Sequence, residues 1–241
     1  VQAAPEEEAH QTVQIPAETL SAIVQGRARG EAPAKAEARP LVPVRPHGPI
    51  EIIAIGISTG GPNALREIFA KLDPELPQPI VVVQHMPAGF TEEFAHSLDR
   101  ICPLEVKEAV EGDIVKPGRV LIAPGDFHIE VERRPLATVA HLSSAPAQNG
   151  HRPSADVLFA SVAREFQNRA LGIIMTGMGK DGAAKLAELY REGSRTLGQD
   201  EASSVVYGMP RVAWELGGVM EQVSLGNMAT VINRYGREYS R

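Results

Sequence analysis

The sequence predicts an α/β fold: a doubly wound, mostly parallel sheet flanked by helices, with an antiparallel hairpin insertion. Two observations support this prediction. From residue 49 onward, short apolar runs rich in β-branched residues alternate with stretches of helical periodicity, which is typical of parallel strands joined by crossover helices. Three of these runs end in a polar residue that leads into a glycine-containing turn, as expected at the ligand-binding edge of such a sheet.

The first run, residues 52–57, is apolar throughout and indicates a strand buried on both faces. It leads into Ser58-Thr59-Gly60-Gly61, and Pro62 then stands where a first helical turn tolerates a missing N–H group. Ser58 is therefore expected on a strand-to-helix turn, beside the free N–H groups that open the helix. Residues 56–60 also match G-x-S-x-G, in which a serine occupies a tight elbow. Such a turn alone is compatible with catalysis, anion binding or a purely structural role.

Two further runs bring chemically useful side chains to the same edge. The run at residues 80–84 ends at His85, and the run at residues 170–176 leads into a glycine-rich turn that contains Asp181. A hydroxyl, an imidazole and a carboxylate are the groups that nucleophilic acyl transfer needs. The order Ser58, His85, Asp181 differs from the orders of chymotrypsin, subtilisin and the α/β-hydrolases, so a standard α/β-hydrolase is disfavoured.

Other residues compete for these roles. Asp181 precedes a helix that runs to Glu192, where an aspartate is common simply as a cap. Asp200 and Glu201 also follow a strand and are its main rivals. His128, in the predicted hairpin, and His151, in a loop before a helix, are expected to be structural or solvated.

The remaining elements follow from shorter patterns. Segments around residues 104–107, 119–123, 127–132 and 136–142 alternate in polarity and are expected to be antiparallel. Thr91 and Ser154 are the expected N-caps of helices that reach residues 98 and 166. Near the C-terminus the pattern predicts a strand at 195–199, a helix at 210–216, a strand at 221–223 and a helix at 224–239.

Residues 1–48 have the composition of a flexible linker, rich in proline and alanine, and residues 49–241 are expected to form the catalytic domain. Only residues 19–27 of the linker could form a short helix, which would be marginal in isolation. The chain starts at Val1 without a methionine, so a trimmed piece of a longer protein is expected.

Charge and cysteine content restrict the class of protein. The formal net charge of −6 argues against nucleic acid or an anionic membrane as the main partner. The single cysteine, Cys102, fits a reducing compartment. No apolar run suits a transmembrane helix or a signal peptide. We therefore expect a cytoplasmic protein without membrane insertion. The spacing of histidine and cysteine matches no metal site, which predicts a reaction without metal or cofactor.

Six motifs follow one another from about residue 52 to the closing helix. They are Ile55-Gly56-Ile57-Ser58-Thr59-Gly60-Gly61, Gln84-His85-Met86-Pro87-Ala88-Gly89-Phe90-Thr91, Ile122-Ala123-Pro124-Gly125-Asp126, His151-Arg152-Pro153-Ser154-Ala155-Asp156, Thr176-Gly177-Met178-Gly179-Lys180-Asp181-Gly182 and Gln199-Asp200-Glu201-Ala202-Ser203. In this order and without large gaps, they closely resemble the catalytic domain of the CheB-type protein-glutamate methylesterases of bacterial chemotaxis.

The resemblance implies hydrolysis of glutamate γ-methyl esters on the cytoplasmic helices of methyl-accepting chemoreceptors, with release of methanol and often deamidation of receptor glutamines. By position, Ser58 is the nucleophile, His85 the general base and then acid, and Asp181 the orienting carboxylate. The resemblance places Thr59, Gly60, Met178 and Gly179 around the oxyanion and substrate pocket, with Gln199 and residues 151–153 nearby.

The resemblance also has consequences for the rest of the chain. Members of this family usually carry an N-terminal receiver domain that a histidine kinase phosphorylates, and residues 1–48 resemble the linker that joins the two domains. Two alternative functions are an anion-binding regulatory module without catalysis and an esterase for another substrate. Replacement of Ser58 separates the first alternative from an enzyme, and methanol release from methylated receptor separates the second.

Overall fold

The structure, a computed structural model, describes residues 41–240. In this part of the chain nine strands form one seven-stranded sheet and one two-stranded hairpin. The strands are β1 (Ile52–Ile57), β2 (Ile80–Gln84), β3 (Glu105–Glu108), β4 (Arg119–Ile122), β5 (His128–Arg133), β6 (Thr138–Ser143), β7 (Ala170–Ile174), β8 (Arg195–Gln199) and β9 (Glu221–Val223). The helices are α1 (Gly61–Phe69), α2 (Thr91–Asp99), α3 (Ala155–Phe166), α4 (Ala183–Arg191), α5 (Met209–Glu215) and α6 (Leu225–Glu238).

The large sheet has the order β3-β4-β2-β1-β7-β8-β9, and every neighbouring pair in it is parallel. From β1 the chain moves outward to β2 on one side, and it later returns to β7 on the other. A change of direction of this kind opens a crevice at the carboxyl ends of the strands. The predicted fold class is therefore confirmed.

The sheet is covered on both faces because its central strands are apolar on both faces. Ile53 and Ile55 point into the core beneath α1, α2 and α6, whereas Ile52 and Ala54 point into the core beneath α3, α4, α5 and the hairpin. All six residues of β1 are buried, as the continuous apolar run predicts.

One part of the strand prediction is wrong. Only β5 and β6 pair in the antiparallel sense, whereas β3 and β4 are parallel members of the main sheet. β3 is an edge strand that is exposed at Glu105 and buried at Val106, so its alternating polarity is the same as that of a hairpin strand.

The two predicted helix caps also differ in detail. Phe90 occupies the N-cap of α2, and Thr91 is the first helical residue. The Thr91 hydroxyl donates instead to Glu108 and accepts from the N–H group of Gly125, which joins the start of α2 to the end of β3 and to the loop after β4. Ser154 does occupy the N-cap of α3, but its hydroxyl makes no bond to that helix and donates to Asp181.

The end of the predicted linker contacts the end of α4 and the start of β8. The N–H group of Val44 donates to the carbonyl of Arg191, and the carbonyl of Gly48 accepts from Arg195. The short helix predicted at residues 19–27 lies outside the described residues. Within residues 41–240, no helix combines the length and the apolar character needed to cross a bilayer.

Candidate active site

Ser58 and His85 lie side by side at the ends of two neighbouring strands. Ile57 of β1 is in register with Gln84 of β2, so these two residues come next on adjacent parallel strands. The N–H group of His85 donates to the Ile57 carbonyl at 3.1 Å, and that of Ser58 donates to the Thr176 carbonyl at 2.9 Å. Ser58 is thereby held between the ends of β2 and β7.

Close packing fixes the turn that carries Ser58. Gly177, which follows β7, leaves no room for a side chain: a Cβ there would lie 2.8 Å from the Cβ of Ser58 and 2.3 Å from the sulfur of Met209. The backbone after β7 can therefore approach the serine directly. This approach brings the next two residues, Met178 and Gly179, to the rim of the site.

Asp181 is completely buried and accepts hydrogen bonds at both carboxylate oxygens. Its Oδ2 lies 2.8 Å from Nε2 of His85 and accepts from the N–H group of Ala155 at 2.6 Å. Its Oδ1 accepts from the Ser154 hydroxyl at 2.6 Å and from the Asn149 amide at 3.0 Å. Asp181 therefore caps α3 rather than the helix that follows it in sequence, and it holds His85 at the same time.

These contacts set the charge state of the pair. Burial alone would raise the pKa of Asp181, but the hydrogen bonds from His85, Ser154, Asn149 and Ala155 outweigh burial and lower this pKa to about 2. The carboxylate is therefore ionised at neutral pH, and the proton of a neutral His85 ring lies on Nε2, which donates to it.

The other ring nitrogen of His85 is available as a base. Its Nδ1 is buried and makes no hydrogen bond with any residue between 41 and 240. The structure thus joins His85 to Asp181 directly and places Ser58 on the adjacent strand end without a hydrogen bond to His85. Contacts between nucleophile and base often tighten only when substrate binds.

The four residues that the resemblance places at the oxyanion and substrate pocket have backbone N–H groups available for hydrogen bonds. Within the described residues, the backbone N–H groups of Thr59, Gly60, Met178 and Gly179 make no hydrogen bond. The first two belong to the turn that opens α1, and the other two follow β7. The Met178 side chain is 72% exposed.

Sequence reasoning missed Asn149 and underrated His151. The His151 ring stacks on the His85 ring, with 3.9 Å between centroids and 14° between planes, so His151 belongs to the site rather than to a solvated loop. Asn149 and Gly150 have φ values of 52° and 80°, and Gln148 pairs with His151 across them, which defines a tight turn. The Asn-Gly dipeptide is the signal that could have located this turn.

The remaining candidates take other roles. His128 is 1% exposed, and its Nδ1 accepts from the Ser154 N–H group, as expected of a structural histidine. Asp200 accepts from the N–H group and the hydroxyl of Ser203, and Glu201 is exposed, so neither contacts His85. Gln199 accepts from the N–H group of Thr176 at 2.9 Å and thereby supports the turn after β7.

His85, His151 and Asp181 offer ligand atoms that lie within 4.8 Å of one another, a spacing that a metal ion could use. Both oxygens of Asp181 already accept hydrogen bonds, and the His85 nitrogen nearest to them carries the shared proton. An ion would have to displace these donors. The set suits proton transfer better than metal binding, and independence from metals and cofactors stays a prediction.

A serine on an elbow turn, beside a histidine fixed by a buried carboxylate, is typical of hydrolases that act through a serine nucleophile. The CheB methylesterase family model matches residues 53–232, and the chain belongs to this family.

Similar proteins support this assignment. The chain is 72% identical over 198 residues to a Treponema denticola protein named protein-glutamate methylesterase/protein-glutamine glutaminase, covering 82% of this chain and 53% of that protein. A Treponema pallidum protein of the same name is 70% identical over 200 residues, covering 83% and 50%. The chain therefore spans about half the length of these relatives.

The fold also has a solved counterpart. The crystal structure of the Thermotoga maritima CheB methylesterase catalytic domain is 37% identical, with a TM-score of 0.75. The match covers 77% of this chain and 98% of that domain. The sheet order and the helical layers described above are thus those of a CheB catalytic domain.

Proposed function

We propose that this domain hydrolyses the γ-methyl esters of glutamate side chains on bacterial chemoreceptors, releasing methanol. One observation carries the proposal: Nε2 of His85 is bonded to the buried, ionised Asp181, and the buried Nδ1, on the strand end beside Ser58, makes no hydrogen bond within residues 41–240. The names of relatives up to 72% identical support the choice of substrate.

The reaction begins at Ser58. Its Oγ attacks the ester carbonyl carbon while Nδ1 of His85 takes the hydroxyl proton, and the Asp181 carboxylate stabilises the imidazolium that forms. The tetrahedral intermediate then collapses, the bond to the methoxy oxygen breaks, and His85 returns the proton to give methanol. A water molecule attacks the acyl-enzyme in the same way, and the products are a glutamate carboxylate and free Ser58.

The negative charge of the intermediate falls on the former carbonyl oxygen. The N–H groups of Thr59, Gly60, Met178 and Gly179, which make no hydrogen bond in the described part of the chain, are the donors that we assign to it. Fixed donors of this kind stabilise a transition state because they need no reorganisation during the reaction, and each is worth roughly 10²–10³ in turnover.

The same machinery can deamidate a receptor glutamine. Attack by Ser58 on the amide carbonyl would form the same acyl-enzyme, with His85 giving its proton to the leaving amide nitrogen, which departs as ammonia instead of methanol. The relatives are named glutaminases as well as methylesterases, which supports this second activity.

The biological setting follows from the same family. We propose that the domain acts in the cytoplasm during chemotactic adaptation, and that a phosphorylatable receiver domain and its histidine kinase regulate it in the full-length protein. We retain the proposal that residues 1–48 are a linker and residues 49–241 the catalytic domain.

The test is methanol release from receptor membranes that carry labelled methyl esters. The wild-type chain should release labelled methanol, and Ser58→Ala should release almost none while its thermal unfolding is unchanged. Equal release by the two proteins would contradict the proposed mechanism. Hydrolysis of a small ester with no release from receptor would instead favour an esterase for another substrate.

A further inference from the structure

Gln84 is the last residue of β2 and directly precedes His85. It is 2% exposed, although a glutamine amide has two donors and an acceptor to satisfy. Its Nε2 donates to the carbonyl of Ser58 at 3.1 Å and to the carbonyl of His85 at 3.0 Å. One buried amide group thus bonds to the backbone of both residues that exchange a proton in the proposed reaction.

The orientation of this amide follows from its surroundings. A flipped amide would place its oxygen against two carbonyl oxygens, so Nε2 must face Ser58 and His85. The oxygen, Oε1, is then buried and makes no hydrogen bond with the described residues. A buried acceptor without a partner costs free energy. In this amide, that cost accompanies the two hydrogen bonds that the NH₂ group makes.

Gly61 provides the space that this arrangement needs. A Cβ at residue 61 would lie 1.9 Å from Oε1 and 2.9 Å from Cδ of Gln84. The N–H group of Gly61 also donates to the Ser58 carbonyl at 2.8 Å, so that carbonyl accepts from both residues. The turn that carries Ser58 and the strand end that carries His85 are therefore fastened to each other at one point.

We propose that Gln84 is a positioning residue for the reaction: its amide fixes the distance between the Ser58 backbone and the His85 backbone. It touches no reacting atom and acts only through these two residues. The inference rests on the proposed function, because it assumes that Ser58 and His85 work together.

The chain contains a matched control for this role. Gln78 is 1% exposed, and its Nε2 donates to the carbonyls of Ile50 and Gly236 at 3.1 Å and 2.8 Å. Its Oε1 is likewise buried without a partner among the described residues. Gln78 lies two residues before the start of β2, about 20 Å from Gln84 at roughly 3.3 Å per residue. The two glutamines thus have similar burial and a similar hydrogen-bond pattern, but only Gln84 bonds to proposed site residues.

The experiment compares Gln84→Met with Gln78→Met, since methionine keeps the volume and removes both donors. We expect similar losses of thermal stability for the two variants. For Gln84→Met we expect a fall in kcat of roughly 10- to 100-fold at nearly constant KM for methanol release, because a small misplacement of reacting groups has this effect. Gln78→Met should keep the wild-type kcat.

Two further measurements keep the outcome decisive. The first is the rate at which a fluorophosphonate labels Ser58, because this reaction requires an activated serine but no receptor. Slow labelling of Gln84→Met together with normal labelling of Gln78→Met would support the inference even if methanol release failed. The second is the labelling rate of Gly61→Ala, which keeps Gln84 but forces its amide to move and should therefore also be labelled slowly. Its control is Gly226→Ala, where a Cβ meets nothing within 4 Å and labelling should proceed at the wild-type rate. Normal labelling rates in both Gln84→Met and Gly61→Ala would overturn the inference.

Discussion

Asp156, in α3, caps the first turn of α4, whereas Asp181, just before α4, caps the first turn of α3. We call this reciprocal arrangement the cap exchange. Asp181, which lies just before α4, accepts from the N–H group of Ala155 at the start of α3. Asp156, in the first turn of α3, accepts from the N–H group of Lys185 in the first turn of α4 at 3.0 Å. The Asn149 amide donates to both carboxylates. The carboxylate that orients His85 is thus fixed by the junction of two helices, and several consequences can be tested.

The first prediction concerns acid stability. The pKa of Asp181 is lowered from 3.8 to about 2 in the folded protein, so its contribution is fully present above pH 3.8 and is lost as the pH falls through about 2. This contribution is roughly 2 kcal/mol. Urea unfolding of the wild type should show that loss between these pH values, and Asp181→Asn should show much less of it. The same pH dependence in both proteins would contradict the assignment.

The second prediction concerns Ser154. Ser154→Ala removes a hydrogen bond that fixes the orientation of the Asp181 carboxylate and helps to lower its pKa, so the carboxylate holds the His85 ring less rigidly. A loss of about 1 kcal/mol corresponds to about a fivefold fall in kcat.

Ser161 provides the control for Ser154. It is also buried in α3, where its hydroxyl donates to Leu158 and accepts from the N–H group of Val131. Ser161→Ala should lose comparable stability in thermal unfolding and keep the wild-type kcat. A similar fall in kcat for both variants would show that only general stability is involved.

The third prediction concerns the cap exchange. Asp156→Ala leaves the N–H group of Lys185 without its acceptor and frees Asn149 from one of its two carboxylates. Burial raises the pKa of Asp156, so removal of its charge offsets part of the damage, and we expect a net loss of about 1 kcal/mol with a modest fall in kcat. Asp99→Ala, which removes a carboxylate that accepts from the Val106 N–H group, should lose stability alone. Unchanged kcat in Asp156→Ala would show that the exchange serves only the fold.

The fourth prediction concerns metals. Because both oxygens of Asp181 already accept hydrogen bonds, we expect methanol release to be the same before and after treatment with a strong chelator. Loss of activity on chelation, restored by one added divalent ion, would contradict a mechanism based on Ser58 and His85 alone.

The sequence predicts those parts of the site that depend on local pattern. Ser58 and His85 each follow a continuous apolar strand, and the parallel arrangement of those strands brings them to one edge. The partner helix of Asp181 could not be predicted, since α3 and α4 are separated by a strand and meet only through tertiary packing. Asn149 was missed and His151 underrated for a similar reason: a tight turn can be read from Asn-Gly, but the position at which it docks cannot.

The parallel pairing of β3 and β4 could not be predicted from the sequence either. Each strand has four residues, too few for alternation to distinguish an edge of a parallel sheet from a hairpin. The role of Gln84 could not be predicted from the sequence either, because a polar residue at a strand end is expected whether or not it contacts the site. Only its buried contacts with Ser58 and His85 separate Gln84 from Gln78.

The central claim is that His85, held by Asp181, activates Ser58. Its most direct test is the site and rate of fluorophosphonate labelling, read by peptide mass mapping in the wild type, His85→Gln, Asp181→Asn and the control His96→Gln, whose side chain is exposed on α2. We predict a label on Ser58 in the wild type and in His96→Gln at equal rates, and labelling slowed by roughly 10²-fold or more in the other two variants. A label on another serine, or an unchanged rate in His85→Gln, would contradict the account.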